Sequence, residues 1–296
     1  MEIRVVTAAD AEAVSRLRRE TYAYSVMSPA ATRHMITVQG PGERFLALVA
    51  EDGGEIVGWG SAGLNVWTSE PGWSSLSIYV HPEHRGHGIG GALAERLHSH
   101  LGEIGATRVR AFATPAGVGF ATGRGYEPVR EMHYSGVDPR VLPDQPATPD
   151  GIRIATLDTL EPRQLFLADT IASLDEPGDS PMDSVDYDHW VAEVWQSPGS
   201  DRSLGVAAMA GDEVASFAAI ERDGDRAWSG MTGTLPQYRG QGLAKLVKSV
   251  ALRRCAAAGI VGAFTSNDDS NAPMLAINHW LGYRRIETQT GLLRNL

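Results

Sequence analysis

Val80-His81-Pro82-Glu83-His84-Arg85-Gly86-His87-Gly88-Ile89-Gly90 returns later in the chain as Thr234-Leu235-Pro236-Gln237-Tyr238-Arg239-Gly240-Gln241-Gly242-Leu243-Ala244. Each copy runs Pro, then Arg-Gly-x-Gly-x-small, then a helical pattern. Self-similarity at a fixed offset is a statement about architecture, so it precedes any reading of single residues. Working outward, Ile3-Arg4-Val5-Val6-Thr7 opens the chain and Ile152-Arg153-Ile154-Ala155-Thr156 opens the second copy. Gly123-Arg124-Gly125-Tyr126 and Trp280-Leu281-Gly282-Tyr283 stand near the two ends. Four landmarks in one order indicate a duplicated domain.

The duplication places an N-terminal domain at 1–140, a proline-rich linker at 141–150 and a C-terminal domain at 151–296. Pro139, Pro143, Pro146 and Pro149 stiffen the connector. Within each half, short strands come first: 45–50 and 55–62, then 204–210 and 213–220. The strands 76–80 and 228–234 lead into the Arg-Gly loops, followed by a helix, the strands 109–113 and 260–266, and a closing strand. That order predicts an α/β fold with a mixed sheet. Thr7 with Asp10, and Asp158, are the expected caps of the first helices. The segment carrying Pro115, Gly117 and Gly119 reads as a poor helix.

Of 296 residues, 43% are hydrophobic, as in packed globular domains. No apolar run approaches the roughly 20 residues needed to span a bilayer, and no signal-peptide core follows Met1. Cys255 stands alone, so no intramolecular disulfide forms, and a cytoplasmic protein is expected. A net charge of −10 argues against nucleic acid as a partner and is compatible with a cationic small substrate. The histidines lack metal-ligand spacing, so no metal site is expected. Oligomeric state is left open.

In Arg85-Gly86-His87-Gly88-Ile89-Gly90-Gly91 and Arg239-Gly240-Gln241-Gly242-Leu243-Ala244-Lys245 the glycines let backbone approach a ligand closely. Each loop feeds a helix N-terminus, whose outward N–H groups and dipole suit a phosphate or pyrophosphate. Arg85 and Arg239 add charge at the lip or brace the turn. The match of the first loop to the dinucleotide fingerprint G-x-G-x-x-G is set aside, because it lies mid-domain rather than directly behind a first strand.

At these residues the chain resembles the GNAT N-acetyltransferase superfamily, whose cofactor signature Q/R-x-x-G-x-G/A is met by Arg85-x-x-Gly88-x-Gly90 and Arg239-x-x-Gly242-x-Ala244. The resemblance covers both halves, in a tandem layout similar to that of mycothiol synthases. It implies two GNAT-like domains, each a mixed, mostly antiparallel twisted sheet flanked by helices. It implies acetyl-CoA as donor, its pyrophosphate on the loops. Its pantetheine arm would run along Ile78, Tyr79 and Val80 in one half and Thr232, Gly233 and Thr234 in the other. The implied reaction is direct acetyl transfer to a primary amine, most simply of a small molecule. A non-catalytic acyl-CoA-binding or regulatory protein and a protein or peptide acetyltransferase stay open as alternatives.

The family often carries N-x-x-A-x-x-x-Y after its fifth strand. Here that stretch is Asn271-Ala272-Pro273-Met274-Leu275-Ala276-Ile277-Asn278, so Asn271 is kept and Asn278 replaces the tyrosine that protonates the departing thiolate. Asparagine has no ionisable proton; it orients or hydrogen-bonds. In the first half Thr114 and Ala121 fall at those two positions, which points to the C-terminal half as the catalytic one. Glu221 is the first candidate for the base, with Glu287 and His133 behind it. Asp175 to Asp188, with Tyr187, Trp190 and Trp195, is the expected acceptor wall. Its acids and aromatics either recognise a cationic amine or form a solvated, anchored loop.

Overall fold

The computed structural model describes residues 1–296 and divides by contacts into two compact units. The first comprises Met1–Glu131 with Gln289–Leu296, the second Met132–Thr288.

In the first unit, β1 (Glu2–Val5) turns through a capping box in which Thr7 and Asp10 satisfy each other's backbone donors. The helices α1 (Ala11–Thr21) and α2 (Pro29–Thr37) follow, the second started by the Ser28 hydroxyl and by proline at its first position. Then come β2 (Leu46–Asp52), β3 (Glu55–Leu64), β4 (Trp73–Val80), α3 (Ile89–Glu103), β5 (Arg108–Ala113) and α4 (Pro115–Thr122). Ile89, Leu93, Leu97 and Leu101, spaced by four, give α3 one apolar face. That face packs on Leu48, Val57 and Leu76 of the sheet. Val14 and Leu17 of α1 cover the opposite face with Val49 and Trp59.

The expectation for 115–122 is corrected: this segment is helical. Pro115 occupies the first helical position, where its missing N–H costs nothing and its fixed φ helps.

β6 (Glu127–Val137) crosses into the second unit. There β7 (Ile152–Thr156), α5 (Pro162–Ser173) and α6 (Tyr187–Trp190) precede β8 (Val206–Ala210), β9 (Glu213–Asp223) and β10 (Arg226–Thr234). α7 (Leu243–Ala257), β11 (Gly262–Asp268), α8 (Ala272–Leu281) and β12 (Arg284–Asn295) complete the chain. The cap of α5 is Glu161, in a capping box with Gln164, rather than Asp158. Asp158 lies in a 3-10 turn, Leu157–Thr159, that ends before the helix begins. Leu243, Val247, Ala251 and Leu252 of α7 bury against Val206, Ala218 and Ile220.

Strand order is β1-β2-β3-β4-β5-β12 in the first unit and β6-β11-β10-β9-β8-β7 in the second. All pairings in the register are antiparallel except β4 with β5 and β10 with β11. The compact units therefore cut the chain elsewhere than the repeat does. Residues 290–295 of β12 pair with β5, and residues 132–137 of β6 pair with β11. Each fifth strand needs an antiparallel neighbour on its far side. The duplicated chain offers two equivalent closing strands, so an exchange satisfies the same ladder bonds. Residues 138–150 form no helix or strand. Leu142 packs on the second core, and the Pro143 carbonyl accepts from Arg253. No helix is long and apolar enough to cross a membrane.

Candidate active site

In both units the strand before the glycine loop parts from its parallel neighbour. β4 pairs with β5 only over Trp73–Ser75, and β10 with β11 only over Arg226–Trp228. Beyond those residues the strands fork, and a cleft opens between fork and glycine loop. In the second unit its volume is about 860 Å³, in the first about 460 Å³.

The loops are built alike. A 3-10 turn, Pro82–His84 or Pro236–Tyr238, leads to the arginine. Nε of Arg85 donates to the Val80 carbonyl at 3.2 Å, and Nε of Arg239 to the Thr234 carbonyl at 3.2 Å. Of the two roles read from sequence, bracing the turn is thus observed in both halves. Gly88 (φ 82°) and Gly242 (φ 77°) are left-handed and stand directly before α3 and α7. A side chain there would be strained, yet a Cβ would meet nothing within 4 Å. The space above the glycines is open. The first intrahelical bond of α7 runs from Leu246 N–H to the Gly242 carbonyl, so the earlier N–H groups have no partner within the helix.

Among the residues named from sequence, Glu221, Thr232, Gly233, Thr234, Asn271 and the loop except Gln241 line the second cleft. Ile78, Val80 and the first loop except His87 line the first. Tyr79 faces elsewhere, under the Arg18 guanidinium beside Trp59. Asn278 is buried behind the wall, its Nδ2 donating at 2.5 Å to Oδ1 of Asn267, which does line the cleft. Of the weaker candidates, His133 lies 3.3 Å from the Thr288 hydroxyl, and Glu287 accepts from the Thr288 N–H; neither lines the cleft.

The second cleft differs from the first in its strand. The register of β10 with β9 slips between Ser229 and Thr232, a bulge that leaves Gly230 and Met231 unpaired on the wall. β4 pairs with β3 without a slip from Ser74 to Val80. The Thr232 hydroxyl is buried without a hydrogen-bond partner.

The expected acceptor wall divides. Trp190 is 1% exposed, donates to Asp169 at 2.7 Å and stacks among Phe166 and Trp195, so the aromatics anchor the segment. Burial pushes the Asp169 carboxyl up, against the opposing pull of the Trp190 bond. Asp175 and Glu176 alone among the acids line the cleft, and Asp186 caps α6. Cys255 is buried, its thiol pushed up to about 12 by desolvation, and is no nucleophile. No cluster of His, Cys, Asp or Glu is placed to hold a metal ion.

Sequence reasoning missed Lys248, which lines the cleft from α7 and is almost wholly buried. The available signal was composition: the chain has two lysines, Lys245 and Lys248, among 26 basic residues.

Residues 11–139 match the acetyltransferase (GNAT) family. The GNAT match falls on the first half of the chain. It is 28% identical over 245 residues to a mycothiol acetyltransferase of Catenulispora acidiphila, covering 80% of this chain and 76% of that protein. It is 25% identical over 299 residues to a mycothiol acetyltransferase of Streptomyces bingchenggensis, covering 96% and 92%. Among solved structures, a tandem GNAT protein from the clavulanic acid biosynthesis pathway superposes with a TM-score of 0.74 at 19% identity, covering 99% of this chain and 98% of that one. A GNAT protein from Sphaerobacter thermophilus gives 0.71 at 19% identity, covering 99% and 95%. The tandem GNAT fold expected from the repeat is the fold observed, and the GNAT matches bear out an N-acetyltransferase.

Proposed function

We propose that the second-unit cleft is the working site, moving an acetyl group from acetyl-CoA to a primary amine of a small molecule. The observation that carries this assignment is the β10 bulge at Gly230–Met231. It frees backbone groups on the cleft wall at the fork, a place where bulges re-aim the chain beside active sites. The sister strand β4 has none.

The residues present fit the cofactor. Gly240 and Gly242 leave an open cradle at the start of α7, and Thr232, whose buried hydroxyl is unpartnered, lines the cleft on the strand along which the pantetheine arm would run. Gly240 to Lys245 would hold the pyrophosphate through backbone N–H groups, with Arg239 at the lip. Bound acetyl-CoA supplies the acetyl group as an activated thioester. Glu221, on the cleft wall opposite Trp228, is assigned to take the proton of the incoming ammonium, since only the neutral amine attacks. Asn278 acts as a positioning residue that fixes Asn267. With Cys255 buried, no covalent enzyme intermediate is needed, and alignment of amine and thioester carries much of the rate.

The relatives named mycothiol acetyltransferase support a small-molecule amine as the acceptor class. We place the activity in the cytoplasm on the single unpaired cysteine. The test is thiol release from acetyl-CoA by the purified chain against a panel of small primary amines. Amine-dependent release supports the assignment; tight acetyl-CoA binding without release by any amine would make the chain a binding module.

A further inference from the structure

Lys248 has no structural explanation. It is 1% exposed on α7, forms no ion pair, and its ammonium lies 5.6 Å from the centroid of the buried Tyr283 ring. At the same offset from Arg85 the first half has Ala94, also 1% exposed and lining its own cleft. A buried amine without a counter-charge is costly, and an apolar side chain suffices in the sister helix.

The choice of lysine is informative in itself. The other 24 basic residues are arginines, and both lysines line the second cleft. Arginine stays charged under all ordinary conditions, whereas a buried lysine gives up its proton and becomes a nucleophile. Lys245 sets its ammonium 3.7 Å from the Trp280 ring centroid, a cation–π contact. The ionisable group against the Lys248 ammonium is Tyr283 after α8, and the others lining its cleft are Asp175 and Glu176 after α5, Glu221 from β9, Tyr238 and Arg239 before α7, and Lys245 on α7. β8, β10, β11 and α8 present none to the cleft. Desolvation alone brings Lys248 down from 10.5 to about 7, so about half of it is neutral near neutral pH.

We propose that Lys248 is itself an acetyl acceptor: with acetyl-CoA in the second cleft and no amine present, it becomes N-acetylated. The inference rests on the cofactor assignment above. The neutral nitrogen attacks the thioester carbonyl carbon, a C–N bond forms and the C–S bond breaks. The proton shed by nitrogen goes to the departing thiolate, giving free CoA thiol and a neutral amide. No further reactant is needed. The amide removes the charge that burial disfavours and adds an acetyl group to the lining of the second cleft. Acceptor amine and Lys248 therefore compete for the same acetyl group, which ties enzyme activity to acceptor supply.

The experiment incubates the purified full chain with acetyl-CoA alone, follows intact mass and maps peptides, with calorimetry on the same sample. Only the N-terminal amine, Lys245 and Lys248 offer a primary amine, so assignment is unambiguous. The expected result is one acetyl group at Lys248, installed at least tenfold faster than at Lys245. Its rate rises about tenfold per pH unit below about pH 7 and levels off above. Lys248→Arg stays unmodified at that position, and Gly242→Asp slows the reaction at least tenfold. Bound acetyl-CoA with an unmodified Lys248 would overturn the proposal while sparing the cofactor assignment. Absence of acetyl-CoA binding would remove the cofactor assignment and the proposal with it.

Discussion

Arg239 and Asp175 meet at 2.6 Å, tying the glycine loop of the second unit to the segment that follows α5. The same guanidinium braces its own turn through Nε. Asp175 thus competes with any phosphate for the outward end of Arg239. Both side chains are largely exposed, so the pair adds under about 1 kcal/mol to stability. Asp175→Ala should leave the melting temperature nearly unchanged and tighten acetyl-CoA binding two- to fivefold. Calorimetry showing weaker binding would mean that Asp175 organises the loop instead.

Gly242→Asp forces a side chain into φ 77° and sets a carboxylate at the positive end of α7. The backbone penalty is about 1–2 kcal/mol, and the charge opposes pyrophosphate directly. Acetyl-CoA affinity in the second cleft should fall at least tenfold. Binding unchanged at that cleft would contradict the loop assignment.

The base assignment has a pH signature. Glu221→Gln removes the proton acceptor, so turnover should drop most where the amine arrives protonated. The deficit should shrink as pH rises toward the amine's own pKa. A constant ratio of variant to parent across pH would remove Glu221 from the mechanism.

Lys248 also sets a stability slope. Its folded-state value lies near 7 against an unfolded 10.5, so between those values the unfolded chain binds the extra proton. The contribution of Lys248 rises with pH across that window and is flat below it, while above about pH 9 the buried Cys255 thiol, raised from 9.0 to about 12, acts in the opposite sense. Lys248→Met should abolish the slope and stabilise the fold at pH 7 by about 1–4 kcal/mol, as apolar replacement of buried charge often does. Denaturant midpoints of the parent and Lys248→Met at pH 7 and pH 9 decide it.

Trp190→Ala deletes a buried indole and leaves the buried Asp169 carboxyl with the Ser173 hydroxyl alone of its two side-chain donors. A loss of about 3–5 kcal/mol is expected, read as a lowered denaturant midpoint. A mild effect would mean that the segment 175–195 is held by other contacts.

What the sequence carried were local patterns. The Arg-Gly-x-Gly loops, the left-handed Gly88 and Gly242 and the apolar stripe of α3 follow from spacing and conformational demand at single positions. The partners of β6 and β12 were not legible, because the two closing strands offer the fifth strands equivalent backbone hydrogen bonds. That Asn278 reaches the cleft only through Asn267 was not legible, since spacing along α8 does not reveal its partner on β11. Lys248 was passed over because a lysine within a helical pattern ordinarily lies on a solvated face, and only tertiary packing shows its burial.

The account stands most directly on which cleft turns over. Acetyl-CoA turnover with one active amine should be compared in Gly88→Asp and Gly242→Asp, both checked for folding by their melting transitions. The prediction is a loss of tenfold or more in Gly242→Asp, with Gly88→Asp retaining most of the parent rate. The reverse ranking would place catalysis in the first half and contradict the reading of the bulged strand.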